Sequence, residues 1–122
     1  MAQQFHTRIY AATKRSRDDV ASIAASAVAG RVERSSVVGQ RCVIDVRRND
    51  EYDPRPRDDA DADAFLYFPL TVEVWTEDPS VSLKSYLSTV AAVMQALAAD
   101  GSRLVAACDW EHLLPGRGRL GF

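Results

Sequence analysis

The sequence predicts an α+β sandwich in which two helices cover one face of a four-stranded antiparallel sheet. Three observations carry that expectation. Two stretches repeat apolar residues at helical spacing, each opened by hydroxyl or carboxylate caps and closed by glycine. Four shorter stretches carry the alternating or clustered apolar residues of strands. Their order along the 122 residues is β-α-β-β-α-β.

The first strand is "RIYAAT", Arg8 to Thr13. The first helix opens at "SRDD", where Ser16 can accept a hydrogen bond from the Asp19 N–H and the aspartates suit the positive end of the dipole. Val20, Ile23, Ala24, Ala27 and Val28 form its apolar stripe, and Gly30 stands where a C-terminal stop belongs. "QRCVIDVRR" is the second strand, with Cys42, Ile44 and Val46 on one face and Arg41, Val43, Asp45 and Arg47 on the other. In the third, "FLYFPLTVEVW", Leu66, Phe68, Leu70, Val72 and Val74 alternate with Tyr67, Thr71, Glu73 and Trp75. Pro69 has no N–H to donate, so a bulge or an unpaired position is expected there. Asp78, Ser80 and Ser82 can each cap the second helix. Its stripe runs Leu83, Tyr86, Leu87, Val90, Met94, Leu97, and Gly101 ends it. "RLVAACDWE" is the last strand, with Trp110 on its core parity, and residues 113–122 read as a tail.

Packing these elements most simply gives the ferredoxin-like βαββαβ sandwich as a single domain, residues 1–122. Right-handed crossovers place the first and third strands centrally and the second and fourth at the edges. Cys42 and Cys108 would then stand about three strand spacings, or ~14 Å, apart, beyond the roughly 7 Å reach of a disulfide. Both are expected as free thiols. No apolar run is long enough to span a bilayer, and "MAQQFHTRIYAATKR" lacks a signal-peptide layout, so the expected location is cytoplasmic with no membrane contact.

Charge narrows the function. The net charge of −2 conceals a segment, residues 49–64, with seven acids against two arginines, and the remainder carries 13 basic and 10 acidic residues. That balance lacks the basic stripe that neutralising many phosphates requires. The third strand also lacks the basic-glycine-aromatic signature of RNA-recognition modules, and Glu73 sits between the candidate stacking rings Tyr67 and Trp75. Nucleic acid is therefore not an expected partner. "DADAD", Asp59 to Asp63, starts like a calcium loop, but Ala64 and Leu70 occupy the positions that need glycine and glutamate. "GRGRLG", Gly116 to Gly121, matches a dinucleotide fingerprint in letters only, because no helix can follow it, and a frayed end is expected. The acidic segment reads first as a solvated connection between strands, kept extended by like charge, and second as a partner contact.

Parity places Asp45, Glu73, Asp109 and Glu111 on the face the helices leave open, beside Trp75 and Tyr67. Those carboxylates can pair across strands with Arg41, Arg47 and Arg103, meet a partner, or hold a metal or act as acid and base. His6 and His112, at the outer ends of the terminal strands, add at most a metal pair with Glu111 and read better as surface residues. The expected function is a non-enzymatic protein-binding module with no cofactor. Its partner-binding residues would be Asp45, Tyr67, Glu73, Trp75, Asp109 and Glu111, aided by the acidic loop. A basic protein partner suits this acidity, by analogy with immunity proteins and other inhibitors, and a homodimer could cover the apolar part of the face. The alternative is a small metal- or ligand-binding enzyme or regulatory module built on the same carboxylates.

Overall fold

The computed structural model describes residues 5–39, 41–50 and 68–122. The described chain is α+β with two helices, α1 (Arg17–Val28) and α2 (Leu83–Ala99). Its strands are β1 (Phe5–Ala12), β2 (Arg31–Glu33), β3 (Ser36–Val38), β4 (Val43–Arg48), β5 (Leu70–Thr76), β6 (Arg103–Ala107) and β7 (Arg119–Leu120). All pair antiparallel in one seven-stranded sheet of order β2-β3-β4-β5-β1-β6-β7.

The expected four-stranded ferredoxin-like sheet is thus incorrect. The four long strands lie side by side as β4-β5-β1-β6, but β4 and β6 are not edges. A β2–β3 hairpin extends the sheet beyond β4, and β7 extends it beyond β6. Both additions are too short to show a hydrophobic period. The hairpin turns at Arg34–Ser35, without the Asn-Gly or Asp-Gly that announces a two-residue turn, and Arg34 adopts φ 60°.

The helices form where capping and apolar spacing agree. The Ser16 hydroxyl accepts from Asp19 N at 3.1 Å, as the sequence predicts. The left-handed residue that ends α1 is Ala29 (φ 52°), one position before the expected glycine. Gly30 is needed for a different reason: a Cβ there would lie 2.7 Å from Val37 Cγ1, so glycine lets the chain pass close over β3. Among the three candidate caps of α2, Ser82 takes the position, accepting from Ser85 N at 3.1 Å. Asp78 instead holds the preceding turn, accepting from Ser80 N at 2.9 Å and Ser80 Oγ at 2.7 Å. Gly101, at φ 97°, follows the helix as expected.

Both helices pack on one face of the sheet and against each other, α1 over β4 and β3, α2 over β6 and β1. Between them and the sheet lie Ile9, Ala11, Ile44, Val46, Val72, Val74, Leu104 and Ala106, with Val20 and Ala24 from α1 and Val90, Val93, Met94 and Leu97 from α2. Burial of these side chains is the main source of stability. Ala21 and Ala25 are buried where Ile23 and Ala27 are only partly so, which rotates the inner face of α1 from the expected stripe. Small residues there let the helix approach its neighbours closely.

One end of the core is closed by aromatic rings. Phe5 packs tilted on Tyr86 at 5.2 Å and edge-on to Trp110 at 5.4 Å. The buried Tyr86 hydroxyl donates to Val74 O at 2.8 Å and bonds Thr7 Oγ1 at 2.7 Å, as a buried phenol requires. Trp110 therefore caps the helix layer, although it sits in a turn beyond β6 rather than on a strand.

The C-terminal residues are not a frayed tail. After two 3-10 turns (Glu111–Leu113 and Pro115–Gly118), β7 joins the ladder with Leu120 opposite Leu104 and Arg119 opposite Val105. The glycines of "GRGRLG" serve the backbone: Gly116, Gly118 and Gly121 all have positive φ, and a Cβ on Gly121 would fall 2.1 Å from Ser102 O. Cys42 and Cys108 are both free, consistent with their places at opposite flanks of the four long strands.

Candidate site on the open sheet face

The alternation of β1 turns Phe5, Thr7, Ile9 and Ala11 toward the helices, so His6, Arg8 and Tyr10 emerge on the opposite face. Register aligns these with residues of every other long strand. One row runs Glu33, Ser36, Asp45, Glu73, Arg8, Ala107 across six strands. The row beside it runs Arg31, Val38, Val43, Trp75, His6. On the other side are Arg47, Thr71, Tyr10, Val105 and Arg119.

Glu73 is the centre of this arrangement. Arg8 donates to its Oε1 from Nε at 3.2 Å and from Nη2 at 3.1 Å, and His6 Nε2 lies 3.2 Å from the same oxygen. Arg47 Nε is 3.7 Å from Oε2. The result is a glutamate whose side chain is only 11% exposed on a face that no helix covers. Long arginine stems laid over the sheet account for that burial. Hydrogen bonds first to Tyr10 and then to Glu73 raise the Arg8 pKa above its ordinary value.

Asp45 is held in the same way. Arg47 Nη2 donates to its Oδ2 at 3.0 Å, and the Ser36 hydroxyl donates to Oδ1. Of the three arginines expected to pair with the open-face carboxylates, Arg47 does so. Arg8 and His6 take the remaining places. A first strand beginning at Arg8 leaves His6 outside it; β1 begins at Phe5, and its alternation turns His6 and Arg8 outward together.

Beside this cluster Arg8, Tyr10, Arg47, Arg48, Asn49, Asp50, Thr71 and Glu73 line a shallow pocket of about 220 Å³. Asn49 ties its rim together, its N–H bonding Pro69 O at 2.8 Å and its side-chain amide bonding Phe68 O at 2.7 Å. That pairing places Pro69 just ahead of β5, with its carbonyl satisfied and no N–H required.

The structure brings together Asp45, Glu73 and Trp75 of the expected binding set and separates two others. β6 ends at Ala107, so Asp109 lies in an exposed turn. Glu111 lies in a 3-10 turn, its Oε2 accepting from Cys108 N at 3.3 Å. The chain leaves the ladder there because Trp110 turns inward onto Phe5 and Tyr86. His112 shares that turn, whereas His6 stands within β1. Tyr67, the aspartates of "DADAD" and the acidic segment from Glu51 onward lie outside the described residues.

Chemically, the described face is a charge-paired surface rather than an acidic patch. Arg8, Arg31, Arg47, Arg103 and Arg119 outnumber Glu33, Asp45 and Glu73 on it. Among the described residues no group of three or more His, Cys, Asp or Glu side chains is placed to hold a metal ion. Glu73 orients His6, but no hydroxyl or thiol is bonded to that ring among the described residues. No described helix is long and apolar enough to cross a membrane.

Comparison with known proteins identifies no relative: no family model, no curated protein and no solved structure matches this chain.

Proposed function

We propose that the chain is a non-enzymatic, cytoplasmic protein-binding module that docks its partner on the open face of the sheet. The observation that carries this reading is the ordering of Arg8 and Arg47 over Glu73, beside Trp75 and Tyr10. Trp, Tyr and Arg are the residue types that carry most of the binding energy at protein interfaces. Arginines already fixed by Glu73 and Asp45 lose little conformational freedom when a partner arrives, which favours affinity. The cytoplasm suits two unpaired cysteines.

The partner's chemistry follows from the face. Asp45 and Glu73 are committed to arginines, His6 and Ser36, so they have little left for a basic partner or a metal. Arginines in excess favour a partner that presents carboxylates of its own.

The test is affinity capture from the host with the wild-type chain and with the Arg8→Ala/Trp75→Ala variant, followed by amide exchange on the purified complex. The reading expects a stoichiometric protein complex that weakens about tenfold or more in the variant, with protection in β1, β4 and β5. A complex that survives the double substitution, or protection confined to the helix face, overturns it.

A further inference from the structure

On the opposite side of the molecule, and independently of the open face, we propose that the groove between α1 and α2 binds a small organic anion: a monocarboxylate with a short hydrocarbon or aromatic body. The groove is open to solvent along one side and holds about 340 Å³, at the small end of the roughly 300–1,000 Å³ typical of ligand sites. It exists because the facing helix positions carry small side chains, Ala27 on α1 and Ser85, Ser88 and Ala92 on α2. Val28 and Val81 complete an apolar wall, and Cys42 and Tyr86 line its inner part.

Of the polar groups at the groove, the Tyr86 hydroxyl is committed to Val74 O and Thr7 Oγ1. The Cys42 thiol is 9% exposed and has no hydrogen-bond partner among the described residues. Thr89 donates its hydroxyl to Ser85 O at 3.2 Å, so its methyl is left for the wall. The Ser85 and Ser88 hydroxyls make no such bond among the described residues. Arg41, exposed at the mouth, forms no ion pair within 4.0 Å among the described residues. Asp78 feels its charge: the hydrogen bonds from Ser80 hold that carboxyl below its ordinary value, and Arg41 adds to the effect. A guanidinium with its fork unoccupied binds a carboxylate through two parallel N–H donors, while the apolar wall buries the body of the ligand. A single cation with two hydroxyls suits one negative charge rather than a polyphosphate.

The experiment titrates the full chain with benzoate and hexanoate, and with benzyl alcohol and hexan-1-ol as uncharged bodies of similar size, following the methyl NMR signals of Ala27, Val28 and Ala92. The proposal expects saturable shifts with the carboxylates at millimolar concentration or below, and about tenfold weaker binding of the alcohols. Arg41→Gln, at an exposed position that does not threaten folding, should reduce carboxylate affinity to the level of the alcohols. Benzoate should also slow maleimide labelling of Cys42 in the wild type and not in Arg41→Gln. Carboxylates that bind equally well to Arg41→Gln, or that leave the groove methyls unshifted at millimolar concentration, overturn it.

Discussion

Asp45 and Glu73 stand directly opposite each other on β4 and β5, two carboxylates in register on an uncovered sheet face. Like charges so placed repel and destabilise a sheet. The pair persists because Arg47 reaches both, with Nη2 3.0 Å from Asp45 and Nε 3.7 Å from Glu73, while Arg8 and His6 approach Glu73 from β1. One arginine thus holds two strands together electrostatically at the point where they would otherwise be pushed apart.

Removing that arginine should expose the repulsion. Arg47→Ala is expected to cost about 1 kcal/mol in urea unfolding at neutral pH. Its melting temperature should rise when sodium chloride is increased, because screening weakens the uncovered Asp45–Glu73 repulsion. In the wild type, where the charges are matched, the same salt should have little effect. Equal salt responses in the two proteins would show that Arg47 does not perform this role.

Tyr86 should make stability fall at alkaline pH. Burial raises its pKa far above the ordinary 10.0. Above pH 10 the unfolded chain therefore loses a proton that the folded chain retains. The associated stability is fully present below pH 10 and is lost as pH rises toward the folded-state pKa, at up to about 1.4 kcal/mol per pH unit. Tyr86→Phe should remove this slope. At neutral pH the same variant should cost about 1–2 kcal/mol, since Thr7 Oγ1 and Val74 O lose their buried partner. Parallel slopes above pH 10 in both proteins would refute the assignment.

Ala29 ends α1 in the left-handed region at φ 52°, where a side chain is strained. Ala29→Gly should raise stability by about 0.5–1 kcal/mol, read from the urea midpoint. Gly30→Ala should do the reverse by about 1–3 kcal/mol, because its Cβ meets Val37 and Val38 O at 2.7 and 3.1 Å. If these signs were exchanged, the two residues would have to swap roles at the end of the helix.

The two thiols should be separable. Cys108 is half-buried, whereas Cys42 is buried and its pKa is raised by desolvation. An aromatic disulfide reagent at pH 8 should therefore modify Cys108 first in the folded protein, and both at similar rates in urea. Peptide mapping after partial reaction distinguishes the sites, and Cys42 reacting first would contradict its burial.

Much of this was legible in the chain. Ser16 caps its helix with the bond its position implies, and Ile44, Val46, Val72 and Val74 face the core as their alternation requires, whereas the choice of Ser82 among three candidate caps of α2 was not legible. Local sequence could settle these features because a cap bond spans three residues and strand parity repeats every two. Arg47 was also a readable partner for Asp45, being two residues away on the same face of β4.

Tertiary structure decided the rest. β2, β3 and β7 are only two or three residues long, too short for any hydrophobic period, and exist because β4 and β6 offer them a paired edge. Asp109 and Glu111 leave the open face because packing of Trp110 against Phe5 and Tyr86 bends the chain after β6. Arg8 reaches Glu73 across a sequence separation of 65 residues, through the register of β1 on β5. The sequence by itself determined which residues of the long strands turn inward and where the first helix begins. How many strands the sheet holds, and which cations neutralise its carboxylates, depended on contacts between segments far apart in the chain, and no local period encodes those.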